Sequence, residues 1–62
     1  MKDAIKEVRE TARKNGMVFK QSKTTWLWGA YNRSTGIKIT DFNNVMMAYE
    51  SAQAGWFEVN AQ

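Results

Sequence analysis

The first segment of the chain has apolar residues at helical spacing. In residues 3–14 they recur with a 3.6-residue period, and charged residues occupy the other sides. The stripe consists of Ala4, Ile5, Val8 and Ala12. Asn15 and Gly16 follow, and glycine readily adopts the left-handed conformation that ends a helix. The pattern therefore predicts one amphipathic helix before residue 16.

A second helical stripe lies near the end of the chain. Its apolar positions are Phe42, Val45, Met46, Tyr49 and Ala52. Thr40 or Asp41 is the predicted N-cap, and Gly55 is the predicted end. Beyond it, Phe57 and Val59 suggest either a short strand or a tail that docks on the core.

Between these helices the pattern changes to alternation, and residues 23–40 read as a β-hairpin. Alternation over residues 26–31 places Trp26, Trp28 and Ala30 on one face and Leu27, Gly29 and Tyr31 on the other. Both faces are apolar, so either both are covered or an irregularity at Gly29 redirects the strand. Residues 32–36 have turn chemistry, with Gly36 at a position that suits a positive φ, and residues 37–40 alternate cleanly.

These elements predict one α+β domain over residues 1–62. The expected order is αββα, with two helices packed on one face of a two- or three-stranded antiparallel sheet. The number of strands depends on residues 17–19, which are either a first short strand or a link whose Phe19 fills the core.

Composition removes several classes of function. The chain has 62 residues and neither cysteine nor histidine, so a disulfide and a structural zinc site are not expected. It has no phosphate-binding glycine loop and no nucleophile–base pair. No apolar run approaches the roughly 20 residues of a membrane span. We therefore expect a cytoplasmic protein without cofactor, metal or enzymatic activity.

Charge is unevenly distributed. Residues 1–40 contain all nine Lys and Arg and three acidic residues, a net charge of +6, whereas residues 41–62 carry −3. Such asymmetry suggests an anionic partner for one face, although small domains are often lopsided by chance. The cations of the first helix have the pattern of a solvated face.

Two binding hypotheses follow from the hairpin. A protein partner or a second copy of the chain would contact an apolar surface formed by Leu27, Tyr31 and Phe57. Alternatively, a nucleic acid would bind weakly to a basic surface with a tryptophan for stacking, formed by Lys20, Lys23, Trp26, Trp28, Arg33 and Lys38. The competing interpretation of the tryptophans is that they fill the core.

The order of residues also resembles a group of short proteins encoded by phages and prophages. The similarity rests on KNGMVFK at residues 14–20, SKTT at 22–25, GAYNRSTG at 29–36 and AYE at 48–50. This chain differs from the group at residues 26–28, where Trp-Leu-Trp replaces a more polar stretch. The group has no established activity, so no functional residue is carried over. The resemblance implies an accessory role in a bacterial host, in which the protein binds a host or phage macromolecule.

Overall fold

A computed structural model describes residues 3–62. Its elements, in chain order, are α1 (Ala4–Lys14), β1 (Met17–Gln21), β2 (Trp28–Asn32), β3 (Lys38–Phe42), α2 (Val45–Gln53) and α3 (Trp56–Val59).

The first helix begins and ends where the sequence predicts. Asp3 is the N-cap, and its Oδ1 accepts the backbone N–H of Lys6 at 3.2 Å. Asn15 is the C-cap, and Gly16 follows with φ +77°. The C-terminus docks at this turn, because the Gln62 N–H donates to the Asn15 carbonyl at 2.9 Å.

The three strands form one antiparallel sheet in the order β1-β2-β3. Residues 17–19 belong to a full strand, in which Met17 pairs with Asn32 and Gln21 with Trp28. The register between β2 and β3 shifts between Ala30 and Tyr31. An irregularity at Gly29 was one of the two explanations offered for the apolar faces of this strand, and the observed shift lies one residue beyond it.

The second helix begins later than the sequence predicts. Thr40 and Asp41 lie in β3, paired with Ala30 and Gly29, so neither caps α2. The N-cap is Asn44, whose Oδ1 accepts the Met47 N–H at 2.9 Å. The predicted cap was wrong because pairing with β2 extends the strand through residues that could also start a helix.

The end of the chain is helical. Gly55 follows α2 with φ +89°, as expected for a residue that ends a helix, and α3 then forms one turn. The short strand considered for this segment is absent from the described residues.

The helices and strands share one core, which confirms the α+β fold with helices packed against the sheet. Its buried residues are Val8, Ala12, Met17, Phe19, Ala30, Phe42, Ala48 and Phe57. Phe42 is the centre of an aromatic cluster, with ring centroids 6.2 Å from Phe19, 5.7 Å from Trp56 and 6.3 Å from Phe57. The sheet face opposite the core is called the open face below; it presents Val18, Lys20, Gly29, Tyr31, Lys38 and Asp41.

Candidate nucleic-acid interface

Two hairpin loops connect the strands, and they fold in the same way. Loop L1 (residues 22–27) joins β1 to β2, and loop L2 (residues 32–37) joins β2 to β3. The first side chain of each loop accepts two backbone N–H groups from within the loop. Ser22 Oγ does so at 3.1 and 3.2 Å, and Asn32 Oδ1 at 2.8 and 3.0 Å. In both loops the fourth residue, a threonine, accepts the N–H of the sixth through its hydroxyl oxygen.

The fifth residue of each loop has a left-handed backbone. Trp26 has φ +64° in L1, and Gly36 has φ +77° in L2. Each donates its N–H to the carbonyl of the first loop residue, at 3.0 Å in L1 and 2.8 Å in L2. The predicted positive φ of Gly36 is confirmed. L1, however, has a tryptophan at the position where L2 has glycine, the residue that adopts a left-handed backbone without strain.

Trp26 and Trp28 have separate environments. The indole of Trp28 lies on the core face and stacks on Phe19, with ring centroids 4.8 Å apart. Trp28 therefore does not belong to a basic surface, and the core interpretation is right for it. Trp26 precedes the strand and is 67% exposed, which leaves its ring free for a partner.

The predicted protein interface does not form one surface. Phe57 is fully buried, because α3 turns its side chain into the core, so its place in an exposed set is wrong. Leu27 is half-buried at the end of L1, and Tyr31 is half-buried on the open face.

Tyr31 lies against the sheet because Gly29 has no side chain. A Cβ added to Gly29 would lie 2.9 Å from Tyr31 Cε1. Lys20 Nζ lies over the same ring, 4.7 Å from its centroid, in a cation–π contact. The Tyr31 ring is thus held between glycine and lysine, which makes it a poor centre for an apolar interface.

Lys38 is already paired within the open face. Its Nζ donates to Asp41 Oδ2 at 2.9 Å. This hydrogen bond, together with the negative charge of Asp41, raises the pKa of the Lys38 ammonium above its usual value. The pair lowers the capacity of Lys38 to contact a phosphate.

Five basic residues line a groove between α1 and β1, which we call the α1–β1 groove. It has a volume of about 650 Å³, and its cations are Lys6, Arg9, Arg13, Lys20 and Arg33. Asp3 and Glu10 are its acidic residues, and Met17, Val18 and Phe19 contribute apolar surface. In the described part of the chain, no salt bridge like that of Lys38 holds any of the five cations.

Arg33 is placed in the groove by the turn that follows α1. Its backbone N–H donates to the Gly16 carbonyl at 3.0 Å, and its Nη1 donates to the Arg13 carbonyl at 3.4 Å. A cation is favoured there by the dipole at the C-terminus of α1. Arg33 therefore marks one end of the groove, while Lys23 lies in L1 at the opposite end of the sheet.

The sequence analysis found Lys20 and Arg33 but missed the three groove cations of α1. Lys6, Arg9 and Arg13 are spaced at i, i+3 and i+7, which places them along one side of a helix. The spacing was visible, but the same pattern fits a solvated face. Only the packing of α1 beside β1 brings these residues to the same groove as Lys20 and Arg33.

Residues 3–62 contain neither a candidate metal site nor a candidate membrane span. No group of acidic residues there could hold a metal ion. No helix among them is long and apolar enough to cross a membrane. Comparison with protein-family models, with curated proteins and with solved structures finds no match to this chain.

Proposed function

We propose that this protein is a small non-enzymatic binding protein whose partner is a nucleic acid, contacted through its phosphates by the α1–β1 groove. The observation that carries the proposal is that four basic residues of α1 and L2 line one groove: Lys6, Arg9, Arg13 and Arg33. Lys20 of β1 also lines the groove, although its ammonium lies over the Tyr31 ring on the open face. Phosphate contacts by Lys and Arg supply most of the affinity of non-specific nucleic-acid binding.

The distribution of charge supports a polyanion over a small anion. The groove follows β1, a strand of five residues, and therefore extends over roughly 15 Å. Arg13 and Arg33 lie at one end, and Lys20 lies near the other. Cations spread over this length match the repeating charges of a phosphodiester chain.

A protein partner, or a second copy of this chain, is the other candidate. It fits the resemblance to phage accessory proteins as well as a nucleic acid does. The residues expected to form its apolar surface do not support it, because Phe57 is buried and Lys20 covers Tyr31. The bacterial cytoplasm is the compartment that this resemblance implies for either partner.

The test is a binding titration with mixed-sequence single- and double-stranded oligonucleotides. Amide NMR spectra monitor the titration at about 50 and 200 mM salt. We expect shifts at groove residues that weaken at the higher salt. Arg9→Gln should lower the affinity and reduce the slope of log K against log salt by roughly 0.7–0.9, the value for one phosphate contact.

Lys14→Gln is the matched control, because it removes one charge from the same helix at an exposed position outside the groove. Equal losses in the two variants would mean that only net charge matters. No binding at either salt concentration would overturn the proposal and direct the search to protein partners.

A further inference from the structure

Trp26 combines two features that a purely structural residue would not need. The residue is 67% exposed, so it contributes little to the core. Its backbone is left-handed, and it is the single non-glycine residue with positive φ among residues 3–62. Strain of this kind persists where the surrounding structure holds it, and it is concentrated at functional sites.

Loop L2 shows that L1 does not need a tryptophan at this position. L2 forms the same hydrogen bonds with Gly36 as its fifth residue, and no atom of residues 3–62 lies within 4 Å of a Cβ added there. Glycine would satisfy L1 in the same way. The indole ring of Trp26 is therefore not required for the hydrogen bonds of L1, and its exposure leaves it available for a contact outside the chain.

The position of L1 connects Trp26 to the basic groove. The Gln21 side chain, at the end of β1, donates its Nε2–H to the Trp26 carbonyl at 2.9 Å. Lys20 precedes Gln21 and lines the groove, and Lys23 is exposed in the loop itself. A chain of phosphates leaving the groove past Lys20 would reach the loop that carries the indole ring.

The surroundings of Trp26 favour a nucleobase over an apolar protein surface. L1 contains no acidic residue, and Lys23, Thr24 and Thr25 are all exposed. A protein hot spot is surrounded by apolar, charge-depleted surface, whereas a stacking residue for single-stranded nucleic acid lies beside cations. A base inside a duplex is already stacked on its neighbours and does not offer its face.

We propose that Trp26 is a stacking residue for an unpaired base, so that the protein prefers single-stranded nucleic acid whose phosphates occupy the α1–β1 groove. This inference rests on the proposed function and adds to it the strandedness of the ligand. Stacking is tolerant of sequence, because every base has an aromatic face.

The experiment compares wild type, Trp26→Gly and Trp26→Phe on three probes: a mixed-sequence single-stranded oligonucleotide, the matching duplex and an abasic single strand of the same length. Trp26→Gly should bind the single strand roughly 5- to 140-fold more weakly, the range expected for one lost stacking contact. Trp26→Phe should recover most of this affinity. Both variants should bind the abasic strand as wild type does.

The outcomes separate this inference from the proposed function. If Trp26→Gly binds the single strand as tightly as wild type, stacking is wrong and the groove proposal stands. If Trp26→Gly is weakened relative to wild type by the same factor on the abasic strand as on the normal single strand, Trp26 acts through loop structure, and the inference is overturned. If wild type binds no probe but self-associates in a Trp26-dependent manner, both proposals fail and Trp26 is a protein anchor. Loss of folding in either variant would be recognised from its amide NMR spectrum, so it would not be mistaken for loss of binding.

Discussion

The two hairpin loops share one backbone conformation but differ in the residue at the fifth position, where the backbone is left-handed. In both, the first side chain and a threonine accept N–H groups within the loop, and the fifth residue is left-handed. L2 places Gly36 there, and L1 places Trp26. The comparison separates what the loop needs for folding, a residue that tolerates this backbone, from what a binding surface needs, an exposed ring.

The largest expected effect is that of a side chain at the fifth position of L2. Gly36→Ala should lower the free energy of unfolding by about 1–2 kcal/mol, because an L residue is strained in the left-handed region. No contact within the described part of the chain would add to this penalty, since none of its atoms lies within 4 Å of the new Cβ. Thermal unfolding should show a Tm lower by roughly 4–8 °C for each kcal/mol. An unchanged Tm would mean that the two loops differ in backbone after all.

The first residues of the loops give the next comparison. Asn32→Ala should cost about 1–2 kcal/mol and Ser22→Ala about 0.5–1 kcal/mol, because each removes an oxygen that accepts two N–H groups. The free energy of unfolding falls further in Asn32→Ala, since Asn32 Nδ2 also donates to Gln62 Oε1 at 2.9 Å. Denaturant titration of both variants measures the difference.

The C-terminal contact can be removed alone as a control. In an Asn32→Asp variant the side chain still accepts the two loop N–H groups, but it can no longer donate to Gln62. Its stability should fall between wild type and Asn32→Ala. Equal stability of Asn32→Ala and Ser22→Ala would remove the proposed role of Gln62.

Sequence reasoning found L2 and missed L1, although the two loops repeat a pattern at a spacing of ten residues. Ser-Lys-Thr-Thr-Trp-Leu at 22–27 corresponds position by position to Asn-Arg-Ser-Thr-Gly-Ile at 32–37. Asparagine and glycine are strong turn signals, so L2 was predicted. Tryptophan is a strand-forming residue, so the second strand was expected to begin at Trp26 instead of Trp28. In L1 the hydrogen bonds of Ser22 and Thr25 outweigh that local preference.

The fold was more predictable than the site for a physical reason. The helices, the glycines that end them and the strands of the sheet were predicted from the spacing of apolar residues within each segment. The stripe that contains Val8 and Ala12 is an example. The α1–β1 groove depends on how segments pack. The sequence does not distinguish Arg9 from other exposed cations of the helix, because its place in the groove depends on the packing of α1 beside β1. Likewise, the burial of Phe57 depends on α3, which turns its side chain into the core.

A smaller effect with the opposite sign is expected in L1. Trp26→Gly should raise the free energy of unfolding by about 0.5–1 kcal/mol, because it relieves the left-handed strain and removes little burial. Trp26→Ala is the matched control, since it removes the ring and keeps the Cβ. It should be less stable than Trp26→Gly in the same thermal scans. A Trp26→Gly variant clearly less stable than wild type would show that the indole supports the fold.

The smallest effect concerns the ion pair between Lys38, the residue that follows L2, and Asp41. The residue that follows L1 is the uncharged Trp28. The hydrogen bond to Asp41 raises the pKa of Lys38, so the folded state holds that proton more tightly than the unfolded state does. The stabilisation is therefore complete below the usual lysine pKa of about 10.4 and is lost as the pH rises through the higher value of the folded state. Thermal scans of wild type and Asp41→Asn should show a Tm difference at neutral pH that shrinks at strongly alkaline pH. Because both proteins share every other titrating lysine and tyrosine, a difference that stays constant with pH would mean that the pair contributes nothing to the second hairpin.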